Sequence, residues 1–458
     1  MKENKMGVVP MNKLMFTMSM PIILSMVVQA FYNIVDTYFI SNMTSSTISN
    51  IAEHAINALT LSFPIQMLMV AIGVGTGVGV NALLSKYLGE RNHQQASLVA
   101  GNAIFTGICT YVVFLLFGLF GVVPFLKTQT NNATVIALGQ SYLMICCVLS
   151  FGSIGSMIYE KLLQSTGKTV LSTIAQLAGA LTNIILDPIL IFGMFGFPKM
   201  DIIGAAVATV AGQILTLVLC MVFHYCFNKE IDGNLQYLKP KAKTIKNIYK
   251  VGIPAIIMQS LMSVMSYGIN IIFGLVSASA VAAFGIYYKI QQFVFFGAFG
   301  INNAMIPIIS FNYGKQDQQR VKDGIKYGLI YTLIFTGLGM LVLEFFAPQI
   351  CSMFSLSEDG ARLCTLALRI IPLGFLFAGA NIAYQGIFQA LGYGVKSLIL
   401  SSIRLIIITL PVAYIFTLMS NATTMIWFSF PIGEIVALMV GLLIYHKIKK
   451  ENINHIGV

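Results

Sequence analysis

The chain is 458 residues long, has a mean hydropathy of +0.83, and carries charge on only 9% of its residues. A water-soluble chain carries about a quarter charged residues, so the solvent for most of this surface is lipid. The net charge of +11 would suit nucleic acid if it were gathered on a soluble domain, but its distribution follows the membrane and excludes that partner.

Apolar blocks near the ~20 residues needed to cross a hydrocarbon core of about 30 Å are predicted over residues 14–40, 55–84, 97–123, 135–158, 166–193 and 204–227. A second set covers 247–274, 280–309, 325–347, 364–388, 396–418 and 424–446. The expected fold is therefore an all-α integral membrane protein with twelve transmembrane helices. The basic, polar stretch 228–246 reads as a linker between an N-lobe (1–227) and a C-lobe (247–458) of six helices each. The first block is too long for a signal-peptide core and no small-residue cleavage site follows it, so it is expected to stay as the first helix. With a cytoplasmic N-terminus, 21 of the 27 Lys and Arg fall in cytoplasmic segments and only Lys127, Lys199 and Arg362 fall outside. This bias predicts an inner (cytoplasmic) membrane protein with both termini and the linker in the cytoplasm.

The two sets match as copies. Met20-Pro21-Ile22-Ile23 aligns with Ile253-Pro254-Ala255-Ile256, and Tyr87-Leu88-Gly89-Glu90 with Asn312-Tyr313-Gly314-Lys315. Val123-Pro124 aligns with Ala347-Pro348, and Leu163-Gln164-Ser165-Thr166-Gly167 with Phe388-Gln389-Ala390-Leu391-Gly392. An even number of helices per copy brings both copies into the membrane from the same side. Such a parallel repeat is a transporter architecture, with the substrate site expected between the lobes near the midplane.

An ionisable residue inside a transmembrane helix costs roughly 2.5–3.5 kcal/mol and marks a candidate site. In the first helix Gln29, Tyr32, Asn33 and Asp36 fall within an arc of about 100°, and Pro21 gives the same helix a bending point. In the fifth helix Asn183 and Asp187, four apart, share a face. Pro188 there leaves the carbonyl of Ile184 without its donor, so the sequence predicts a broken helix and an ion site built on Asp36, Asn183 and Asp187. The repeat is an internal control, because Met262, Met265, Ser266 and Ile269 replace the first stripe and Ile408 and Val412 replace Asn183 and Asp187. Any carboxylate ion site is thus expected in the first lobe. The second lobe carries Lys289, Arg369 and Arg404, read as buried or half-buried cations, with Glu434 as the acid expected to neutralise Lys289 or Arg404.

Other chemistry is excluded. Ser165-Thr166-Gly167-Lys168-Thr169 lacks the earlier glycine of a phosphate-binding loop, where Leu162 stands instead. No GxSxG occurs, the five His are dispersed, and the seven Cys have no metal-ligand spacing, so neither an enzyme nor a cofactor is expected. The triplets Asn42-Met43-Thr44, Asn132-Ala133-Thr134 and Asn421-Ala422-Thr423 arise by chance in Asn- and Thr-rich loops. Abundant Met and Phe (24 and 32 residues) against one Trp offer adaptable apolar surface suited to varied ligands.

Val35-Asp36-Thr37-Tyr38-Phe39-Ile40, the Leu88-Gly89-Glu90-Arg91 turn, Leu163-Gln164-Ser165-Thr166-Gly167 and above all the run from Asn183 to Gly193 give the chain its likeness to known transporters. Over essentially its whole length it resembles the multidrug and toxic compound extrusion family, in its bacterial MepA-like branch. That resemblance implies two six-helix lobes, alternating access, and export of cationic amphiphiles in exchange for H⁺ or Na⁺ by a protein expected to act as a monomer. It places the family's ion and proton residues on Tyr32, Asp36, Asn183 and Asp187, with Thr209 a weaker match. The acids that one branch of the family carries in its seventh and tenth helices are not matched here. The alternative reading is a flippase of the same superfamily for a lipid-linked anion, which the cationic second lobe supports.

Overall fold

The structure, a computed structural model, describes residues 3–43, 50–354 and 356–457; Thr44 of the first Asn-X-Thr triplet lies outside them. Among the described residues there is no strand. Eleven helices of the described residues are long and apolar enough to cross a membrane, and a bent pair supplies a twelfth span. They are α1 (Met11–Ser41), α2 (Ile51–Gly89), α3 (His93–Lys127), α4 (Ala133–Val148 with Phe151–Ser165), α5 (Thr169–Phe192) and α6 (Asp201–Phe227), then α7 (Ala242–Gly274), α8 (Ala278–Gly314), α9 (Gln318–Ser352), α10 (Glu358–Ala390), α11 (Gly394–Thr417) and α12 (Ala422–His455). The chain is a multi-pass membrane protein with the twelve helices that its apolar blocks predict.

The duplication is written into the helix ends. Asn92 caps α3 by accepting from Gln95 N, and Asp317, 225 residues on, caps α9 by accepting from Arg320 N. Asn132 and Ser357, again 225 apart, cap α4 and α10. Such caps satisfy backbone donors that a helix start leaves without partners. At the far ends Gly167 and Gly392 take left-handed φ values of 81° and 83°, a conformation that glycine adopts without steric cost. The residue after each closes the turn, with Lys168 N donating to Leu163 O at 2.8 Å and Tyr393 N to Phe388 O at 2.7 Å, the Schellman arrangement. Its side chain then fastens the end of the sixth helix of its own set. Lys168 Nζ donates to Asn228 Oδ1 at 2.9 Å, and Tyr393 Oη to Asn452 Oδ1 at 2.7 Å.

The chain divides into two compact units. One comprises Leu24–Leu84 and Asn92–Ile248. Within it α5 and α6 cross at glycines, where a Cβ on Gly212 would lie 2.6 Å from the carbonyl oxygen of Gly179. The segment before α7 is tied to α3 by Asn102, whose Nδ2 donates to Tyr237 O and Lys239 O and whose Oδ1 accepts from Lys241 N at 2.7 Å. Lys161, placed in a cytoplasmic segment by its charge, is buried, with its stem against Gly77 and Nζ donating to Gln164 Oε1 at 2.8 Å. An amide relayed to Glu160 is what allows that ammonium to leave water.

The other unit comprises the chain up to Ile23, Ser85–Arg91 and the chain from Tyr249 onward. Its core gathers Met265, Ile269, Phe273, Phe284, Tyr287 and the single Trp, Trp427. Here the ends of α2 and α8 meet reciprocally, Gly89 against the carbonyl of Phe311 and Gly314 against that of Lys86. Each of these glycines leaves no room for a Cβ.

Candidate functional site

Two polar groups lie inside the apolar helices, one in each unit. The first is built from α1, α2, α4, α5 and α6. Asn183 and Asp187 sit one turn apart on α5, and Asn183 Nδ2 donates to Asp187 Oδ1 at 3.4 Å and to Thr209 Oγ1 of α6 at 3.3 Å. Asp187 is fully buried, so it does not solvate a helix end. Asp36 on α1 lies within electrostatic reach of Asp187, and Tyr32 interacts with both and with Gln29. Residues on α1 and α5 that the sequence singled out separately are thus brought together. Asn33 is exposed and gives only its carbonyl, to Thr37 Oγ1 at 2.9 Å. Gln29 is exposed as well.

The break expected at Pro188 does not occur, since α5 continues through it to Phe192 and ends at Gly193, whose φ is 74°. Proline so near a helix end removes one hydrogen bond without stopping the helix, and the left-handed glycine stops it instead.

Two members of the site are absent from the sequence reading. Tyr142 of α4 is buried and accepts from Gln66 Nε2 of α2 at 3.2 Å, and it interacts with both Asp36 and Tyr32. Tyr142 and Cys146 stand one turn apart and Gln66 Nε2 reaches both, a grouping that only the fold assembles.

Chemically, the first group is rich in acceptors and short of donors. Asp36 Oδ1, Asn183 Oδ1 and Asp187 Oδ2 are buried without a hydrogen-bond partner. Buried carboxylates require a proton or a counter-cation, and an all-oxygen donor set suits a hard cation. Among the described residues no group of three or more His, Cys, Asp or Glu side chains comes together, so the set is two carboxylates and an amide.

The second group lies on α8, α10, α11 and α12. Arg404, in a five-residue π-helical stretch of α11, pairs with Glu434 of α12, and their side chains are 6% and 13% exposed. Asn381 of α10 donates to the same carboxylate at 2.8 Å and to the Glu434 backbone at 2.9 Å. The Arg404 guanidinium lies 5.7 Å from the ring centre of Phe295. Lys289 and Arg369 are exposed, so of the three cations expected inside the membrane only Arg404 is buried.

Comparison with known proteins agrees over the whole chain. The MatE family model matches residues 21–189 and 254–415, one segment in each half. The multidrug export protein MepA of Staphylococcus aureus (strain MSSA476) is 25% identical over 436 residues, covering 95% of this chain and 94% of that protein. MepA of Staphylococcus haemolyticus is 26% identical over 448 residues, covering 96% and 94%. In fold the chain resembles a multidrug resistance MATE family transporter of the MOP superfamily in an outward-facing conformation, with a TM-score of 0.90, 22% identity and 99% of each chain covered. The Vibrio cholerae MATE transporter VcmN gives 0.87 at 21% identity, covering 97% of this chain and 98% of that one.

Proposed function

Because the chain belongs to the MatE family of multidrug and toxic compound extrusion transporters, we propose that it is a secondary exporter of cationic amphiphilic molecules. It works by alternating access of an N-lobe (1–227) and a C-lobe (247–458) joined by the linker 228–246, and it is driven by H⁺ or Na⁺ moving the other way. Asp36, Asp187, Asn183 and Tyr32 hold the coupling ion or proton, with Thr209 completing the polar set. The observation that carries this reading is the group of three buried, partnerless oxygens on Asp36, Asn183 and Asp187. A proton or a cation entering that group removes the cost of two carboxylates in a place poor in water. Binding that differs between two conformations shifts their populations, and this differential is all that coupling requires.

The flippase reading depends on a cationic second half that would hold an anion. Glu434 already neutralises Arg404, which removes the one buried cation from the three on which that reading rests.

The deciding experiment loads sealed vesicles carrying the purified chain with a fluorescent cationic dye and imposes H⁺ and Na⁺ gradients separately. Dye movement against at least one gradient is the expected outcome. Movement under neither, with movement of an anionic lipid analogue instead, would overturn the exporter. Orientation is tested by single-cysteine labelling in a background lacking the exposed Cys109 and Cys226. Both termini and the linker are expected in the cytoplasm, so an impermeant reagent on intact cells should modify a cysteine placed at Asn131 and spare one at Asn234. The opposite pattern would reverse the topology.

A further inference from the structure

The residues ahead of α1 form a strap fixed by side chains more than 300 residues away. Asn4 Oδ1 accepts from Met6 N at 2.9 Å and starts a single helical turn, Lys5–Val8. The carbonyls that this turn leaves open are taken by the far end of α8 and the start of α9. Met6 O accepts from Asn312 Nδ2 at 3.0 Å and from an Arg320 terminal nitrogen at 2.9 Å. The same Arg320 nitrogen donates to Val9 O at 2.9 Å, and Lys315 Nζ donates to Gly7 O at 3.1 Å. Arg320 Nε in turn donates to Asn312 Oδ1 at 3.0 Å, which fixes the way that amide faces. Met6 and Asn312 are both 0% exposed. A guanidinium is suited to this work, because its rigid fork of donors can serve several acceptors at once.

The grip continues along α1. Tyr331 Oη donates to Asn12 O at 3.2 Å. Leu14, Met15 and Met18 are fully buried, and Gly300 of α8 faces the backbone of Ile23 so closely that a Cβ would lie 3.1 Å from its nitrogen. All of these residues belong to the unit that contains α8 and α9, and the chain leaves that unit between Ile23 and Leu24. Pro21, which donates no backbone hydrogen bond, lies two residues before this exit. Asp36 lies beyond it.

We propose that Arg320 is a positioning residue for transport: by clasping the strap it pins the first third of α1, so that reorientation of the part bearing Asp36 is taken up at Pro21–Leu24. A pinned helix converts a charge change at Asp36 into a bend. A released helix would move as one piece, and the ion could then pass without carrying the opposite movement of substrate. The proposal deepens the exporter reading and rests on it, but the clasp itself can be measured without transport.

The test uses the full chain in lipid nanodiscs and vesicles, comparing Arg320→Gln, Arg320→Lys and a chain lacking residues 2–9. Arg320 donates to both Met6 O and Val9 O, so amide exchange in residues 11–20 should rise roughly tenfold or more in Arg320→Gln, with exchange in α5 and α6 unchanged. Deleting the strap should do the same, and Arg320→Lys should lie between. In vesicles both strong variants should export fewer ethidium molecules per ion admitted than the parent does. Unchanged exchange in residues 11–20 would overturn the clasp. Raised exchange with the parental ratio of dye to ion would reduce it to a stabilising contact and overturn the role in coupling. Failure of both strong variants to accumulate in the membrane would make the strap a folding element and overturn the proposal likewise. If the parent moves ethidium under neither gradient, the exporter reading and with it the coupling role fail, while exchange still decides whether the clasp exists.

Discussion

Asp36→Asn is expected to insert and accumulate like the parent chain and to lose gradient-driven export. The substitution keeps the size of the side chain and removes its capacity to carry charge, so packing against Tyr32 is preserved while the ion-dependent step disappears. Coupling free energies between sites run about 1–3 kcal/mol, or roughly 5- to 150-fold, and export driven by the gradient should fall by a factor in that range. Asp187→Asn should be impaired less uniformly across substrates. Its carboxylate already receives the amide of Asn183, and an amide in its place can keep one contact of the network. Ile269 is the control position. It stands where the repeat would put the carboxylate, is fully buried in an apolar core, and should tolerate Val or Leu. Dye export from vesicles at matched protein content measures all three. Export by Asp36→Asn at the parent rate, with unchanged dependence on both gradients, would place the coupling site elsewhere.

Breaking the Arg404–Glu434 pair should have the largest effect on stability. Removing one partner of a buried ion pair leaves the other charge uncompensated, at a cost of about 3–5 kcal/mol. Glu434→Gln is therefore expected to lower both membrane abundance and the thermal midpoint in detergent, and transport with them. Asn381 makes the loss worse, because it orients on the same carboxylate. Replacing both partners together, as Arg404→Met with Glu434→Leu, should recover much of the loss, since apolar residues of similar volume often replace a buried pair at little cost. Thermal unfolding of the two single variants and the double variant closes the cycle. Glu434→Gln with normal abundance and unchanged dye export would mean that the pair is dispensable, and it would turn attention back to Arg404 as a contact for an anionic substrate.

The parts of this architecture most legible in the sequence are those set by solvent and by local chemistry. Twelve apolar blocks had to be helices because backbone groups in lipid must be satisfied within the segment. The matching of Gly167 with Gly392 follows from a turn that each half uses to end its fourth helix. Asn183 and Asp187 were legible because two polar residues one turn apart in apolar sequence face the same way. What stayed hidden depended on neighbours distant in sequence. Tyr142 and Gln66 are uncharged and sit in different helices, so neither draws notice until the fold joins them. Lys289 and Arg369 stand exposed on apolar helices, because hydropathy scores a segment and not the side to which one residue of it faces. The extra residue in the turn around Arg404 has no proline or glycine within it to announce it. The continuation of α5 through Pro188 shows that a proline near a helix end weakens a prediction of continuity more than it weakens the helix.

The clasp on the strap also has a consequence for how the chain is made. Met6 leaves the ribosome long before its carbonyl's partners, Asn312 and Arg320, which lie 306 and 314 residues later. Until α9 has been synthesised, Met11 and Met15 lack the surface at Gly324 and Gly328 that they face, and lipid or an insertion factor must cover them. A helix made before α8 and α9 thus reaches its final setting only after them. A nascent chain stalled before residue 312 should carry an amino-terminal end open to protease, and one stalled well beyond residue 331 should carry it closed.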